Sequence, residues 1–347
     1  MTIPVQHPCL LSVVIPTYNR RELVLRAVQS VLDQRIPERR DRSGHPRSGA
    51  DQAPAPLEVI VVDDGSTDGT VAALREHYHD DPRVTVLQST RGYACAARNR
   101  GFAACRGEFV CFLDSDDFWL PGTLRCILAI FGHYPQLAFV SVDGSTLATP
   151  QRPALPRIVA GDSPGWSHAW FGRARLAWET IALADEFGSR RLLRGDFFPA
   201  IINGDLFYLS GMVMRRACAA AAGPFNERFR YFNDWEFFAR LCLQGEGAYL
   251  ELDGFRRDTG RPDQISRRRP VTAMPRRHLF ILRSLQRRAQ AARYAPLLRS
   301  AMLDADYGMA RALTATARTR WSRRYLWRCL RGGHKIARSL ATFAGWR

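Results

Sequence analysis

Three carboxylates, Asp114, Asp116 and Asp117, stand within four residues directly after a predicted strand, Glu108–Leu113. Carboxylates packed together repel one another, so one of them must be protonated or a cation must join them. A divalent cation with oxygen ligands meets this need, and one held by only one or two carboxylates keeps open positions for phosphates. The structural alternative is a loop that uses Asp for turns and helix capping.

A second acidic turn follows the apolar run Leu57–Val62. Asp63 is the first acid after this run, and its carboxylate could accept the N–H of a pyrimidine base. The residues after it have structural explanations: Gly65 can take a positive φ, and Ser66 or Thr67 can cap the next helix. We therefore assign turn roles to Asp64, Gly65, Ser66 and Thr67.

Tyr18 follows the first apolar run, Leu10–Ile15, within the sequence Pro-Thr-Tyr-Asn-Arg. An aromatic face can stack on a nucleobase, although most aromatic residues pack against the protein itself. Both interpretations of Tyr18 stay open on the residues alone.

Apolar runs and helical patterns alternate through the first 142 residues, which predicts an α/β fold with a mostly parallel sheet flanked by helices. Ligands bind beyond the carboxyl ends of the strands in such sheets, where the acidic turns lie. The segment Ala148–Ile202 has no clear pattern. The predicted strands are Leu10–Ile15, Leu57–Val62, Val84–Leu87, Glu108–Leu113, Gln136–Val142 and Leu206–Met214. The predicted helices are Arg20–Gln34, Asp68–Tyr78, Tyr93–Cys105, Pro121–Phe131 and Asn233–Leu243.

The net charge of +17 is concentrated at the end of the 347-residue chain. Residues 267–347 contain 20 Lys+Arg and two acids, whereas the other 266 residues are nearly neutral. We predict three helices there, at roughly 274–293, 296–317 and 320–340. Arginines and aromatics such as Trp321, Trp327 and Trp346 are mixed as in interfacial helices. Helices packed on the core, docking on anionic lipid and nucleic-acid binding stay open, although no nucleic-acid-binding motif is present.

The eight cysteines show no metal-ligand spacing, which indicates reduced, buried thiols in a cytoplasmic protein. The N-terminus carries no secretory signal, and no uncharged run approaches the ~20 residues of a membrane span. We therefore expect any association with the inner face of the cytoplasmic membrane to be peripheral. Residues 36–56 are rich in Pro, Arg, Asp and Gly, which indicates a mobile insertion.

Taken together, four motifs resemble the family 2 glycosyltransferases of GT-A fold. The resemblance covers about residues 10–142, with a further patch at 207–243. It implies a GT-A domain over 1–255, with a nucleotide-sugar half at 10–142 and an acceptor half at 143–255, followed by a basic helical extension over 256–347. The motifs are Ser12–Asn19, Val59–Asp68, Ala97–Gly101 and Phe112–Asp117.

The same resemblance implies roles for individual residues. Tyr18 and Asp63 would contact the base, and Arg98 would lie near the donor phosphates. Asp114 and Asp116 would form the D-x-D pair, with Asp116 the direct ligand of Mg²⁺ or Mn²⁺. Arg98 and Asn99 could instead lie on a solvent-facing helix surface. The implied nucleotide-sugar-binding residues are Pro16, Tyr18, Asp63, Arg98, Asp114 and Ser115.

Asp234 is the candidate catalytic base, since inverting transfer needs a group that takes the proton of the acceptor hydroxyl. The family usually has Glu-Asp where this chain has Asn233-Asp234. As an alternative, Asn233 could be a helix N-cap with Glu236 completing a capping box.

The family also often has a His in the loop that corresponds to 256–266, and this chain has none. Arg257 or Asp258 could take over its duty.

These features predict transfer of a sugar from a nucleotide sugar, with a lean toward UDP, to a saccharide or lipid-linked acceptor in cell-surface polysaccharide or glycolipid assembly. The alternative is a nucleotide-sugar-binding regulatory protein without catalysis. Asn233 and the missing His support this alternative. A dinucleotide-dependent oxidoreductase is excluded, because no G-x-G-x-x-G follows the first strand. A nucleotidyltransferase would need a Gly- and Lys-rich phosphate loop, and none is present.

Overall fold

The computed structural model describes residues 10–35, 56–90, 92–147, 176–183, 187–258, 272–315 and 319–332. All of the predicted insertion except Pro56 lies outside these ranges, as do residues 333–347 with Trp346. The described chain forms a ten-stranded sheet covered by helices.

The sheet has the strand order β3-β2-β1-β4-β9-β6-β10-β8-β7, with β5 paired to β10. Seven of the ten described strands run in one direction, and β5, β8 and β9 oppose them. The predicted mostly parallel sheet is therefore confirmed. The strands β1 to β10 are Leu11–Thr17, Leu57–Asp63, Val84–Gln88, Phe109–Phe112, Asp117–Trp119, Phe139–Thr146, Leu176–Ala182, Ser189–Gly195, Met212–Arg215 and Gly247–Arg257.

The described part of the chain contains ten helices, which cover the sheet or pack on the helices that cover it. The helices α1 to α10 are Arg21–Leu32, Thr70–Tyr78, Tyr93–Ala104, Thr123–His133, Phe198–Ile201, Arg216–Ala222, Asn233–Leu241, Ala273–Gln286, Ala295–Ala315 and Thr319–Arg331. Short 3₁₀ turns span Leu209–Gly211 and Ala289–Tyr294. The predicted strand Leu206–Met214 is thus mostly wrong, because only its last three residues enter β9.

Every residue of β1 is buried, and successive side chains enter different cores. Val13 and Ile15 join the cluster that packs against α1 and α4, whereas Val14 joins the cluster beneath α3 and α7. This alternation is expected for a central strand with both faces covered. Gly101 lets α3 approach the sheet, because a Cβ there would come within 2.3 Å of a Val14 methyl group.

The C-terminal helices α8 and α9 pack on the main core. Leu282, Leu298 and Met309 belong to the same buried cluster as Val14 and the helix α7. The division at residue 255 stays a prediction, since the extension shares this core. None of the helices within the described ranges combines the length and the apolar character needed to cross a bilayer.

Candidate active site

Strands β1, β2 and β4 end at one edge of the sheet and bring the predicted donor residues there. Thr17 pairs with Asp63, and Val14 pairs with Phe112, two residues before Asp114. With strands about 4.8 Å apart, Asp63 and Asp114 flank β1 at a separation of roughly 10 Å. The two acidic turns therefore share an edge without touching.

Asp63 is fully buried beside this edge. Its Oδ2 accepts the backbone N–H groups of Gly65 (3.2 Å) and Ser66 (3.0 Å). Its Oδ1 is buried with no hydrogen-bond partner among the described residues. A buried acceptor without a donor is costly, so this oxygen is suited to receive an N–H from a ligand. Gly65 has the predicted positive φ, at 84°.

Tyr18 and Pro16 lie on the neighbouring strand end. Pro16 is buried within β1, and Tyr18 is half-buried just beyond it. The next residue, Asn19, joins the two turns: its N–H donates to Ser66 Oγ, and its Oδ1 accepts the N–H of Thr67, each at 2.8 Å. The predicted capping role of Ser66 or Thr67 is therefore wrong. Helix α2 begins at Thr70 without a side-chain cap.

Asp64 has a different structural role from a simple turn residue. Its carboxylate accepts the N–H groups of Gly92 and Tyr93, both at 2.8 Å. These two residues begin helix α3, so Asp64 holds the start of this helix against the turn after β2. Tyr93 has a φ of 65°, which is uncommon for a residue other than glycine.

Arginines neutralise much of the acidic cluster. Arg98 donates to Asp114 Oδ1 at 2.6 Å, and Arg20 forms an ion pair with Asp116. Repulsion among the carboxylates is thus relieved in part by arginines of the protein itself, which the motif pattern does not predict. Within the described ranges, no three His, Cys, Asp or Glu side chains are grouped as a metal site. The carboxylate of Asp114 is 40% exposed.

Burial and mutual repulsion also favour protonation within the cluster. Burial raises the pKa of Asp117 well above its usual value, and the charges of Asp114 and Asp116 raise it further. Burial and Asp114 also raise the pKa of Asp116, although Arg20 opposes this shift. Asp117 is therefore the member of the cluster that carries a proton most readily.

Ser210 ties the acidic cluster to the turn that precedes β9, and the sequence pattern does not predict this role. Its Oγ donates to Asp117 Oδ2 at 2.6 Å and accepts the N–H of Asp114 at 3.2 Å. Its carbonyl accepts the indole N–H of Trp119 at 2.7 Å. The signal in the sequence is that Ser210 stands just before the buried strand β9. Because β9 enters the sheet next to β4, Ser210 comes close to the acids that follow β4. Ser115, between the acids, is buried.

Arg98 links the two sides of the site. Its guanidinium donates to Asp114 and, at 2.9 Å, to Asn233 Oδ1, and it lies 5.4 Å from the centre of the Phe225 ring. Its side chain is 7% exposed. Asn99 exchanges two hydrogen bonds with the Phe225 backbone. The solvent-facing alternative is therefore wrong for Arg98, whereas Asn99 is half-buried and is held by these bonds.

Asp234 lies in the first turn of α7, beside the residue that Arg98 contacts. Its side chain is half-buried, and its Oδ1 accepts the N–H of Trp235 at 2.9 Å. The predicted capping box is wrong, because α7 has no side-chain cap and Asn233 binds Arg98 instead. Glu236 forms a buried bidentate ion pair with Arg240.

Residues after β10 also reach the acidic cluster. The N–H of Asp258 donates to the Asp116 carbonyl at 3.3 Å, and its Oδ2 lies 3.5 Å from Arg26. The Arg257 guanidinium lies 4.3 Å from the centre of the Tyr208 ring. Arg257 also pairs with Asp117 where β10 meets β5, so both candidates for the duty of the missing His are close to the cluster. The following residues, 259–271, lie outside the described ranges.

The chain is similar in sequence or in fold to several known proteins. The chain is 39% identical over 112 residues to a putative teichuronic acid biosynthesis glycosyltransferase, TuaG, of Bacillus subtilis. The aligned region covers 32% of this chain and 37% of TuaG. S. aureus TarS 1–349 in complex with UDP-GlcNAc has a TM-score of 0.56 at 16% identity, covering 91% of this chain and 88% of TarS. The mannosyltransferase PcManGT from Pyrobaculum calidifontis, in complex with GDP-Man and Mn²⁺, has a TM-score of 0.55 at 17% identity, covering 96% and 79%.

The solved structures establish the fold alone. The chain spans less than half the length of the curated relatives it matches. The model for "Glycosyl transferase family 2" matches residues 12–201, which is more than half of the chain and includes both acidic turns. On this match, the chain belongs to glycosyl transferase family 2.

Proposed function

We propose that this chain transfers a sugar, with inversion, from a nucleoside-diphosphate sugar to a hydroxyl group of a saccharide or lipid-linked acceptor. The observation that carries the proposal is the contact of Arg98 with Asp114 on the donor side and with Asn233, next to Asp234, on the acceptor side. Family membership and the relatives named for polysaccharide synthesis support a place in cell-surface polysaccharide or glycolipid assembly. In this proposal, residues 1–255 form the catalytic unit in the cytoplasm.

The donor base lies at the ends of β1 and β2. Asp63 Oδ1 accepts an N–H of the base, and Tyr18 stacks on the ring while Pro16 shapes the strand end beneath it. A UDP-sugar is the proposed donor, since the uracil ring offers a single N–H for Asp63. The UDP-GlcNAc complex of TarS supports this choice, whereas the GDP-Man complex of PcManGT supports nucleotide sugars as a class.

The diphosphate lies at the acidic cluster with Arg98 and Ser115. Asp116, together with Asp114, would hold Mg²⁺ or Mn²⁺, and the hard carboxylate oxygens fit such a cation. The fit requires Arg20 to release Asp116 in exchange for the cation. A bound divalent cation would supply positive charge that stabilises the leaving diphosphate. The Mn²⁺ in PcManGT supports the proposal of a metal.

Asp234 acts as the base on the acceptor side. As the acceptor oxygen attacks the anomeric carbon, Asp234 takes the hydroxyl proton and the bond to the diphosphate breaks on the opposite face. The half-buried position of Asp234 leaves it accessible to an acceptor. The hydrogen bond from the Trp235 N–H fixes the carboxylate's orientation.

A panel of nucleotide sugars with Mn²⁺, read first by thermal shift and then by transfer or donor hydrolysis, tests the proposal. Binding of one donor stabilises the folded chain by mass action. We expect Asp116→Ala to weaken this shift and Asp234→Asn to keep the shift while abolishing transfer. Asp80→Asn is the matched control, because the Asp80 side chain is 89% exposed after α2, away from the site.

Each alternative outcome has a clear meaning. Absence of a shift with every nucleotide sugar refutes the proposal. Binding without turnover in the unmodified chain, whatever acceptor is offered, selects the catalytically inactive regulatory protein instead. Full transfer by Asp234→Asn removes Asp234 as the base.

A further inference from the structure

Helix α10, Thr319–Arg331, has an inner face that is fixed against the protein. Ser322, Leu326 and Cys329 on this face are fully buried. The Ser322 hydroxyl donates to the Ala310 carbonyl of α9 at 2.7 Å. These contacts settle which way the helix faces, so its opposite side is set as an outer surface.

The outer face combines positive charge with large aromatic side chains. Trp321 is 57% exposed and Trp327 is 55% exposed, which are the two highest values among the large exposed hydrophobic residues described. The helix has no acidic residue. Arg328 reaches Asp306 of α9 at 3.5 Å. The arginines of the helix are Arg320, Arg323, Arg324, Arg328 and Arg331.

A face that combines arginines with tryptophans is favourable at an anionic lipid headgroup layer. Tryptophan prefers the boundary between polar and apolar surroundings, because its ring is apolar and its N–H is polar. Each arginine near an anionic bilayer adds to its attraction. Because the inner face is occupied by α9, the helix would lie on the bilayer rather than enter it.

We propose that the outer face of α10 docks the protein on an anionic membrane surface. The charge complementarity favours this partner, and the two exposed tryptophans favour a lipid interface over a purely ionic one. Helices α8 and α9 lie between α10 and α7, the helix of Asp234, so the docking surface is joined to α7 through the packed helices of the extension. The docking itself does not depend on transfer activity.

Flotation of the full-length protein with vesicles tests the proposal. Vesicles of phosphatidylcholine with 30 mol% phosphatidylglycerol, chosen at about that content to mimic an anionic leaflet, are compared with vesicles of phosphatidylcholine alone. We expect the double variant Arg320→Gln/Arg324→Gln to lower the partition coefficient on the anionic vesicles about 30-fold. Arg75→Gln/Arg100→Gln is the control, since it removes the same charge from exposed positions on α2 and α3.

The tryptophans are tested separately from the charge. We expect Trp321→Gln/Trp327→Gln to weaken binding that persists at high salt, where ionic attraction is screened. All substituted side chains are exposed, so equal denaturation midpoints check that the variants fold. Equal flotation of the arginine variant and its control overturns the proposal. Binding of duplex DNA without vesicle flotation also overturns it, in favour of nucleic acid.

Discussion

Arg98 is the side chain whose removal tests the architecture of the site most directly. Replacement by methionine fills a similar volume but deletes the hydrogen bonds to Asp114 and Asn233. Hydrogen bonds of a charged group contribute about 1.5–3 kcal/mol each. The lower end applies, because Asp114 is 40% exposed and water can replace the lost partner. Methionine also avoids the cost of burying a guanidinium, which reduces the net loss to about 2 kcal/mol.

The free energy of unfolding, measured by urea denaturation at an unchanged m-value, gives this number. Arg100→Met is the matched control, since Arg100 is exposed on the same helix and its loss is expected to cost less than about 0.5 kcal/mol. Arg98→Lys should recover only part of the loss, because a single ammonium cannot reproduce the planar fork of hydrogen bonds. Donor affinity should fall about tenfold with Arg98→Met. Equal stability of the two methionine variants would refute the bridging role.

Two further predictions concern stability. Burial lowers the pKa of His278 to about 4 from an unfolded value of 6.5. The free energy of unfolding is therefore highest above pH 6.5 and decreases as the pH falls toward 4, because only the unfolded state binds the proton in that range. His278→Gln should remove about 3 kcal/mol of this pH dependence in denaturation series, and an unchanged slope would contradict the assignment. Arg240→Leu leaves Glu236 buried without its partner and should cost about 3–5 kcal/mol in urea denaturation, whereas the double variant with Glu236→Leu should recover part of that loss. A double variant as unstable as Arg240→Leu would show that the ion pair is not the cause.

The fold of residues 10–142 follows largely from local patterns. The predicted strand Leu57–Val62 differs from the observed β2 by one residue, and β3 and β1 are similarly close. Continuous apolar runs predict buried parallel strands well, because both faces of such strands are covered. Strands β7 and β8 were not predicted, since their residues are half-exposed and the apolar alternation is weak.

Contacts between distant loops were harder to predict than the elements. The sequence predicts that Asp63, Asp114 and Asp116 lie at one edge of the sheet, because the carboxyl ends of parallel strands coincide. The partners Arg20 and Ser210 were missed, since a side chain's partner depends on how separate loops meet. The neighbours of Asn233 allow a helix cap as an alternative, whereas its partner in the structure is 135 residues away.

Strand β9 enters the centre of the sheet from a remote part of the chain. It pairs with β4 on one side and β6 on the other, although about 100 residues separate it from β4. During synthesis, therefore, one edge of β4 stays unpaired until Met212–Arg215 has left the ribosome. A fragment that stops earlier would present that edge to other chains and would be prone to aggregate.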